Sequence, residues 1–188
     1  MAILLQHTAN IYSKSAIHAA GGGTLALAIA MAEDQFLIAT PHEGYPYGDK
    51  KPNGEIKVGN DANFGIFKMN WYMIQRCPVI LFNAGWWSME SVKIQIGERI
   101  NNDPGLATRI LIDAMKKWSP NFPHKSKNNF WAGHRWGESG IKGIPPTDWP
   151  DILDYYNTVK EIQAKCDSDH HVWESDVRYY SDKKIPDR

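Results

Sequence analysis

The sequence predicts a predominantly helical α+β domain with a small irregular or β-containing lobe. Three observations lead there. Apolar residues recur at three- and four-residue spacing in several segments, the pattern of helices that bury one face. One long stretch, Thr40 to Asn63, is rich in Pro, Gly, Asn and Asp and has no sustained apolar period, which assigns it to loop with short strands at most. The chain is 188 residues long and shows no internal repeat or low-complexity tract, so residues 1–188 form one continuous domain around one core.

The elements follow in order. Met1 to Gln6 is apolar but lacks the basic start and the length of a signal peptide, so a secreted protein is expected here as its mature form. After Gly21-Gly22-Gly23, Thr24 is placed to cap a helix running to about Phe36. Its Leu25, Ala28, Ile29 and Ala32 repeat at helical spacing, and it is largely buried. A second helix is expected over Lys68 to Arg76, stopping at Pro78, which biases Cys77 away from helical angles. Further helices cover Ser88 to Ile100 and the segment from Asp103 to near Trp118. The latter opens with Asp at the cap and Pro104 at the first helical position. The last helix spans Pro150 to Lys165, with Ile152, Tyr155, Tyr156, Val159, Ile162 and Cys166 on one stripe. Residues 167–188 are charged and weakly periodic and are expected to wrap the surface or fray.

Charge and composition exclude whole classes of partner. Lys+Arg and Asp+Glu stand at 21 each, so the chain lacks the positive excess that nucleic acid or an anionic membrane surface selects. The apolar run Leu25 to Met31 is far short of the ~20 residues that cross a bilayer. Against this neutrality stands a 12% aromatic content, with eight Trp and eight Tyr. The two cysteines, Cys77 and Cys166, have no metal or redox spacing. One disulfide is the sharper reading, closing a loop of about 90 residues at a gain on the order of 4 kcal/mol. Two buried free thiols are the alternative.

Standard catalytic signatures fail in turn. Pro46 stands where a zincin helix needs its second His after His42-Glu43, and Gly137-Glu138-Ser139-Gly140 does not have the spacing of a nucleophile elbow. Gly21-Gly22-Gly23-Thr24 lacks the lysine of a phosphate loop, so those glycines read as structural. Asp167-Ser168-Asp169-His170-His171 has no Gly where a calcium loop turns, and reads as a solvated tail. Carboxylate chemistry remains. Glycoside hydrolysis pairs a carboxyl kept protonated in an apolar setting with one kept ionised in a polar setting. Glu43, beside Tyr45 and Tyr47, fits the first description; Asp61, among Gly59, Asn60 and Asn63, fits the second. Taken alone, ordinary surface carboxylates are the stronger reading of both.

The strings HEGYPYGD (His42 to Asp49), GNDANFGIFKMNWYMI (Gly59 to Ile74) and FWAGHRWGESG (Phe130 to Gly140) change that balance. Together they resemble glycoside hydrolase family 134, the lysozyme-like β-1,4-mannanases. The resemblance implies a hen-lysozyme-like fold and endo-hydrolysis of β-1,4-mannan with inversion. It also implies a secreted enzyme that works as a monomer on β-mannan and manno-oligosaccharides, with no metal or organic cofactor. By position, the family's acid falls on Glu43 and its base on Asp61, with the two carboxyls roughly 6.5 to 9.5 Å apart to admit a water. The stretch Lys50 to Val58 is longer than the family loop and adds Glu55, leaving Asp49 and Glu55 as weaker candidates for the base.

Around this pair, Tyr45 and Tyr47 are expected to line the cleft. Asn63 and Lys68 are expected to bond mannose hydroxyls or to fix the loop to the following helix. Trp131, His134 and Arg135 offer donors beside an aromatic face, suited to a sugar ring, with a turn packed on the core as the alternative. Two rival functions stay open at this level. One is a lysozyme-like hydrolase of peptidoglycan, chitin or chitosan, for which a balanced charge is less suited than for a neutral polymer. The other is a carbohydrate-binding module without catalysis, which the presence of both Glu43 and Asp61 opposes.

Overall fold

The computed structural model describes residues 2–5, 11–33, 53–55, 57–80, 90–118, 129–144 and 149–181. Within them the chain runs β1 (Ala2–Leu5), α1 (Ile11–Ala19), α2 (Thr24–Glu33), a 3-10 turn (Gly59–Asp61), β2 (Asn63–Phe64), β3 (Met69–Asn70) and α3 (Trp71–Ile74). It continues through α4 (Glu90–Asn102), α5 (Pro104–Trp118), α6 (Phe130–Ile141), α7 (Pro150–Ser168) and β4 (Arg178–Ser181). This is the predicted predominantly helical α+β architecture, consistent with a lysozyme-like fold. Its strands form two antiparallel pairs: β1 with β4, aligning Ala2 with Ser181, and β2 with β3, aligning Asn63 with Asn70.

Helix α2 sits at the centre because it is apolar all round: Ala26 to Met31 are buried without a break. Thr24 is its first residue rather than its cap. Gly23 supplies the carbonyl for Leu27 N–H, and the Thr24 hydroxyl donates instead to Asp167. The glycines before it are structural, as expected. Gly22 N–H reaches back to Ile17 O and Gly21 N–H to His18 O, the paired bonds that close a helix, with Gly21 at a φ of 83°. Main partner of α2 is α7, whose stripe of Ile152, Tyr155, Val159, Ile162 and Cys166 is buried against it. Helix α5 begins as its sequence dictates: Asp103 Oδ1 accepts from Leu106 N–H at 2.9 Å, and Pro104 follows at the first helical position.

The helix expected over Lys68 to Arg76 shrinks to Trp71–Ile74. Met69 and Asn70 are taken up by the β2–β3 hairpin, and Lys68 in its turn has a φ of 45°. Asn70 then starts the helix by accepting from Tyr72 N–H at 3.0 Å. Helical turns after Ile74 carry the backbone on to Cys77, just ahead of Pro78.

The expected disulfide is absent: Cys77 and Cys166 are free, buried thiols. Cys77 lies against the Met73 and Ile110 carbonyls, whereas Cys166 packs on the Met31 sulfur, so each sulfur has separate neighbours in the core. Burial pushes both thiols up to about 12.

Beyond α7 the chain lies across α1 and α2. Lys14, fully buried in α1, donates to the carbonyls of Val172 (2.7 Å), Ser175 (2.8 Å) and Val177 (2.6 Å). Arg178 donates twice to Met31 O, satisfying a carbonyl in the last turn of α2. No helix among the described residues is long and apolar enough to cross a membrane.

Candidate active site

Asp61 closes the 3-10 turn and is exposed. Its own N–H donates to Val58 O at 3.2 Å, and immediately after it Trp71 N–H donates to Ala62 O at 2.8 Å, tying the turn to the base of the hairpin. The hairpin is anchored from below. Gly65 N–H donates to Asn101 Oδ1 at 2.7 Å, and Phe64 lies so close to Gly97 that a Cβ there would stand 2.1 Å from its ring. The 3-10 turn, tied to a hairpin of two-residue strands, thus presents the Asp61 carboxylate to solvent.

A polar cluster adjoins Asp61. Asn60 Oδ1 accepts from Gln75 Nε2 at 3.0 Å, and Asn60 Nδ2 donates to Glu138 Oε2 at 3.3 Å. The other Glu138 oxygen is 2.7 Å from Lys142 Nζ. That Lys142 bond, more than the weaker one from Asn60, holds the Glu138 carboxyl below its usual range. Arg76 lies 3.5 Å above the Tyr72 ring and donates to Tyr72 O.

Of the expected sugar-contacting residues, Asn63 is buried and accepts from Asn70 Nδ2 at 3.4 Å across the hairpin, and Lys68 is half-buried in its turn. Trp131, His134 and Arg135 are buried too, the placement that goes with the alternative of packing on the core. Trp131 packs edge-on to Phe130 and Tyr156. His134, 0% exposed, stacks with Phe130 and with Tyr155, with centroids 5.5 and 5.4 Å away, and its Nε2 lies 3.0 Å from Glu33 Oε1. Arg135 Nη2 donates to Asp151 Oδ1 at 2.6 Å. A stacking platform needs a free ring face, and these side chains instead lock α6 to α2 and α7. Glu43, Tyr45 and Tyr47 lie outside the described residues. Glu55 is exposed and accompanies Asn53 in a local turn, where its N–H meets Asn53 Oδ1.

The match to known families is now decisive. The sequence profile of glycosyl hydrolase family 134 covers residues 12–183 of the chain. The chain belongs to glycosyl hydrolase family 134. A comparison with curated protein sequences gives no match. As a family 134 member it is a glycoside hydrolase, and its substrate is a polysaccharide. Water must reach the scissile bond, and Asp61 is a carboxylate so exposed.

Sequence reasoning missed Glu138, which bonds the residue before Asp61, and the exposed indole of Trp136 on the same helix. Glu138 was passed over because only the serine beside it was weighed. Trp136 was hidden in the same string as Trp131, although helical spacing turns the two indoles to different faces. Trp136 is 45% exposed, with its Nε1–H donating to Asp151 Oδ2 at 3.0 Å.

Proposed function

We propose that this family 134 hydrolase is an endo-acting β-1,4-mannanase that inverts the anomeric carbon, with Glu43 as general acid and Asp61 as general base. The observation that carries the reading is Asp61: a solvent-facing carboxylate at the end of a turn fixed on both sides by backbone bonds. In an inverting reaction the base must take a proton from water as that water attacks, which requires an ionised, wet carboxylate held still. Glu43 enters from its position in the HEGYPYGD string, ten residues past the end of α2. There it protonates the leaving oxygen. An equal count of acidic and basic residues suits an uncharged polymer, which is gripped by ring faces and hydroxyl-directed bonds rather than by net charge. Secretion and a monomeric state belong to the same reading.

The test is a substrate panel with two variants. Wild-type protein should depolymerise linear mannan and leave peptidoglycan, chitin and chitosan intact. Glu43→Gln and Asp61→Asn should each lower turnover by about 10² to 10⁴-fold with unchanged melting behaviour. Cleavage of one of the other polymers in place of mannan would redirect the substrate assignment, and mannan binding without cleavage would favour a carbohydrate-binding module. Near-wild-type turnover by Asp61→Asn would remove the base.

A further inference from the structure

A three-residue 3-10 turn is weak on its own. Gly59–Asp61 has no side-chain cap at Val58, and all three of its residues are exposed. Its central residue is nevertheless held from two sides. Gln75, just past α3, donates to the amide oxygen of Asn60, and Glu138 on α6 accepts from its amide nitrogen. Glu138 is itself fixed, because its second oxygen meets Lys142 one helical turn later. Its position in turn depends on a break in α6. Gly137 adopts φ 54° and ψ −133°, and a Cβ there would stand 2.9 Å from the Asn70 side chain, so the helix bends tightly over the hairpin at the residue before Glu138.

We propose that Asn60 and Glu138 are positioning residues that set the direction of the Asp61 carboxylate toward the attacking water; this rests on Asp61 being the general base. Three features separate a strut from a sugar ligand. Both ends of the Asn60 amide are already engaged by protein, on two different elements. Both Glu138 oxygens are engaged as well, so neither group needs substrate to satisfy it. The residue they hold is the immediate neighbour of Asp61, and a small error in the placement of a reacting group is enough to slow a reaction by up to about 100-fold.

The experiment measures kcat and KM on linear mannan for Asn60→Ala, Glu138→Ala, Glu138→Gln, the Asn60→Ala/Glu138→Ala double variant and Asp61→Asn, with melting temperatures for each. Expected are kcat losses of roughly 10- to 100-fold in the two alanine variants, KM within about two-fold of wild type, and melting temperatures unchanged. The double variant should be no slower than the slower single, because both act through one bond. Glu138→Gln keeps an acceptor oxygen for Asn60 and should recover part of the loss. Wild-type kcat in both alanine variants while Asp61→Asn is inactive overturns the positioning role and leaves the base assignment standing. A rise in KM at constant kcat, or additive losses in the double variant, likewise overturns it. Full activity of Asp61→Asn overturns the base assignment itself, and the strut with it.

Discussion

Cys77 and Cys166 show how little a residue's type says about its state until its neighbours are known. Each is buried with its own contacts, and burial pushes each thiol up to about 12, which keeps it protonated and shielded from reagents. The native protein should therefore be inert to a thiol reagent at pH 8 and should titrate two thiols once denatured. Its melting temperature should be the same with and without reductant. A fall of several degrees on adding reductant would show that the cysteines are joined after all. His134 carries the same lesson in reverse. The string around it announces an imidazole beside aromatic rings, and that is correct. What the string does not announce is that the imidazole is enclosed, because Tyr155 from α7 stacks on it and Glu33 from α2 meets its Nε2. Burial is a product of tertiary contacts, so a polar residue in an aromatic string reads equally as a ligand or as a core strut.

Among the elements, the segment after α7 depends on one lysine. Lys14 donates to three carbonyls while fully buried, and burial lowers its pKa against the pull of Cys166, Asp169 and Asp176. Lys14→Met fills similar space and leaves those carbonyls without their donor, and should cost about 3 kcal/mol. For a chain of this size that lowers the melting temperature by roughly 6 to 12 °C. Unchanged melting would show that the clamp is not needed. The same segment is sensitive to acid at Asp169. Burial raises the Asp169 carboxyl, but bonds from His171 N–H and the Tyr179 hydroxyl outweigh it and hold the group below its usual range. Its stabilisation is therefore complete above about pH 4 and is lost as pH falls through the folded value. Hydrogen exchange at β4 should accelerate there, and earlier than in α2.

Legibility also differed by element. Helices α2 and α7 were readable from apolar periodicity, helped in α7 by Pro150 at the first position, and α5 because periodicity, the Asp103 cap and Pro104 agreed with one another. Helix α6 was not. Gly133, Gly137 and Gly140 weaken its propensity, yet they are what its tertiary setting demands. A Cβ at Gly133 would stand 2.3 Å from Ile141, and one at Gly140 would stand 1.8 Å from Ala132 O. The bent helix folds its last turn back onto its first, and only small residues allow that. Likewise the β1–β4 pairing joins opposite ends of the sequence, a register that no local pattern encodes.

At the scale of the whole molecule, an all-round apolar α2 is packed against α7, β4 and α1, and a 3-10 turn beside the small hairpin holds Asp61 at the surface. The family assignment makes the chain a glycoside hydrolase. The equal counts of acidic and basic residues agree with a neutral substrate, and the fixed hairpin agrees with a base that is held in place before substrate arrives. Those properties meet in a single stereochemical outcome. Inversion at a β-linkage delivers water from the face opposite the departing oxygen, so the new reducing end is born as the α-anomer and reaches mutarotational equilibrium only later. Proton NMR of linear β-1,4-manno-oligosaccharides, followed from the first minutes after enzyme is added, measures this directly. The proposed mechanism predicts an initial α-anomeric signal at the new reducing end; an initial β-anomer would contradict inversion by Glu43 and Asp61.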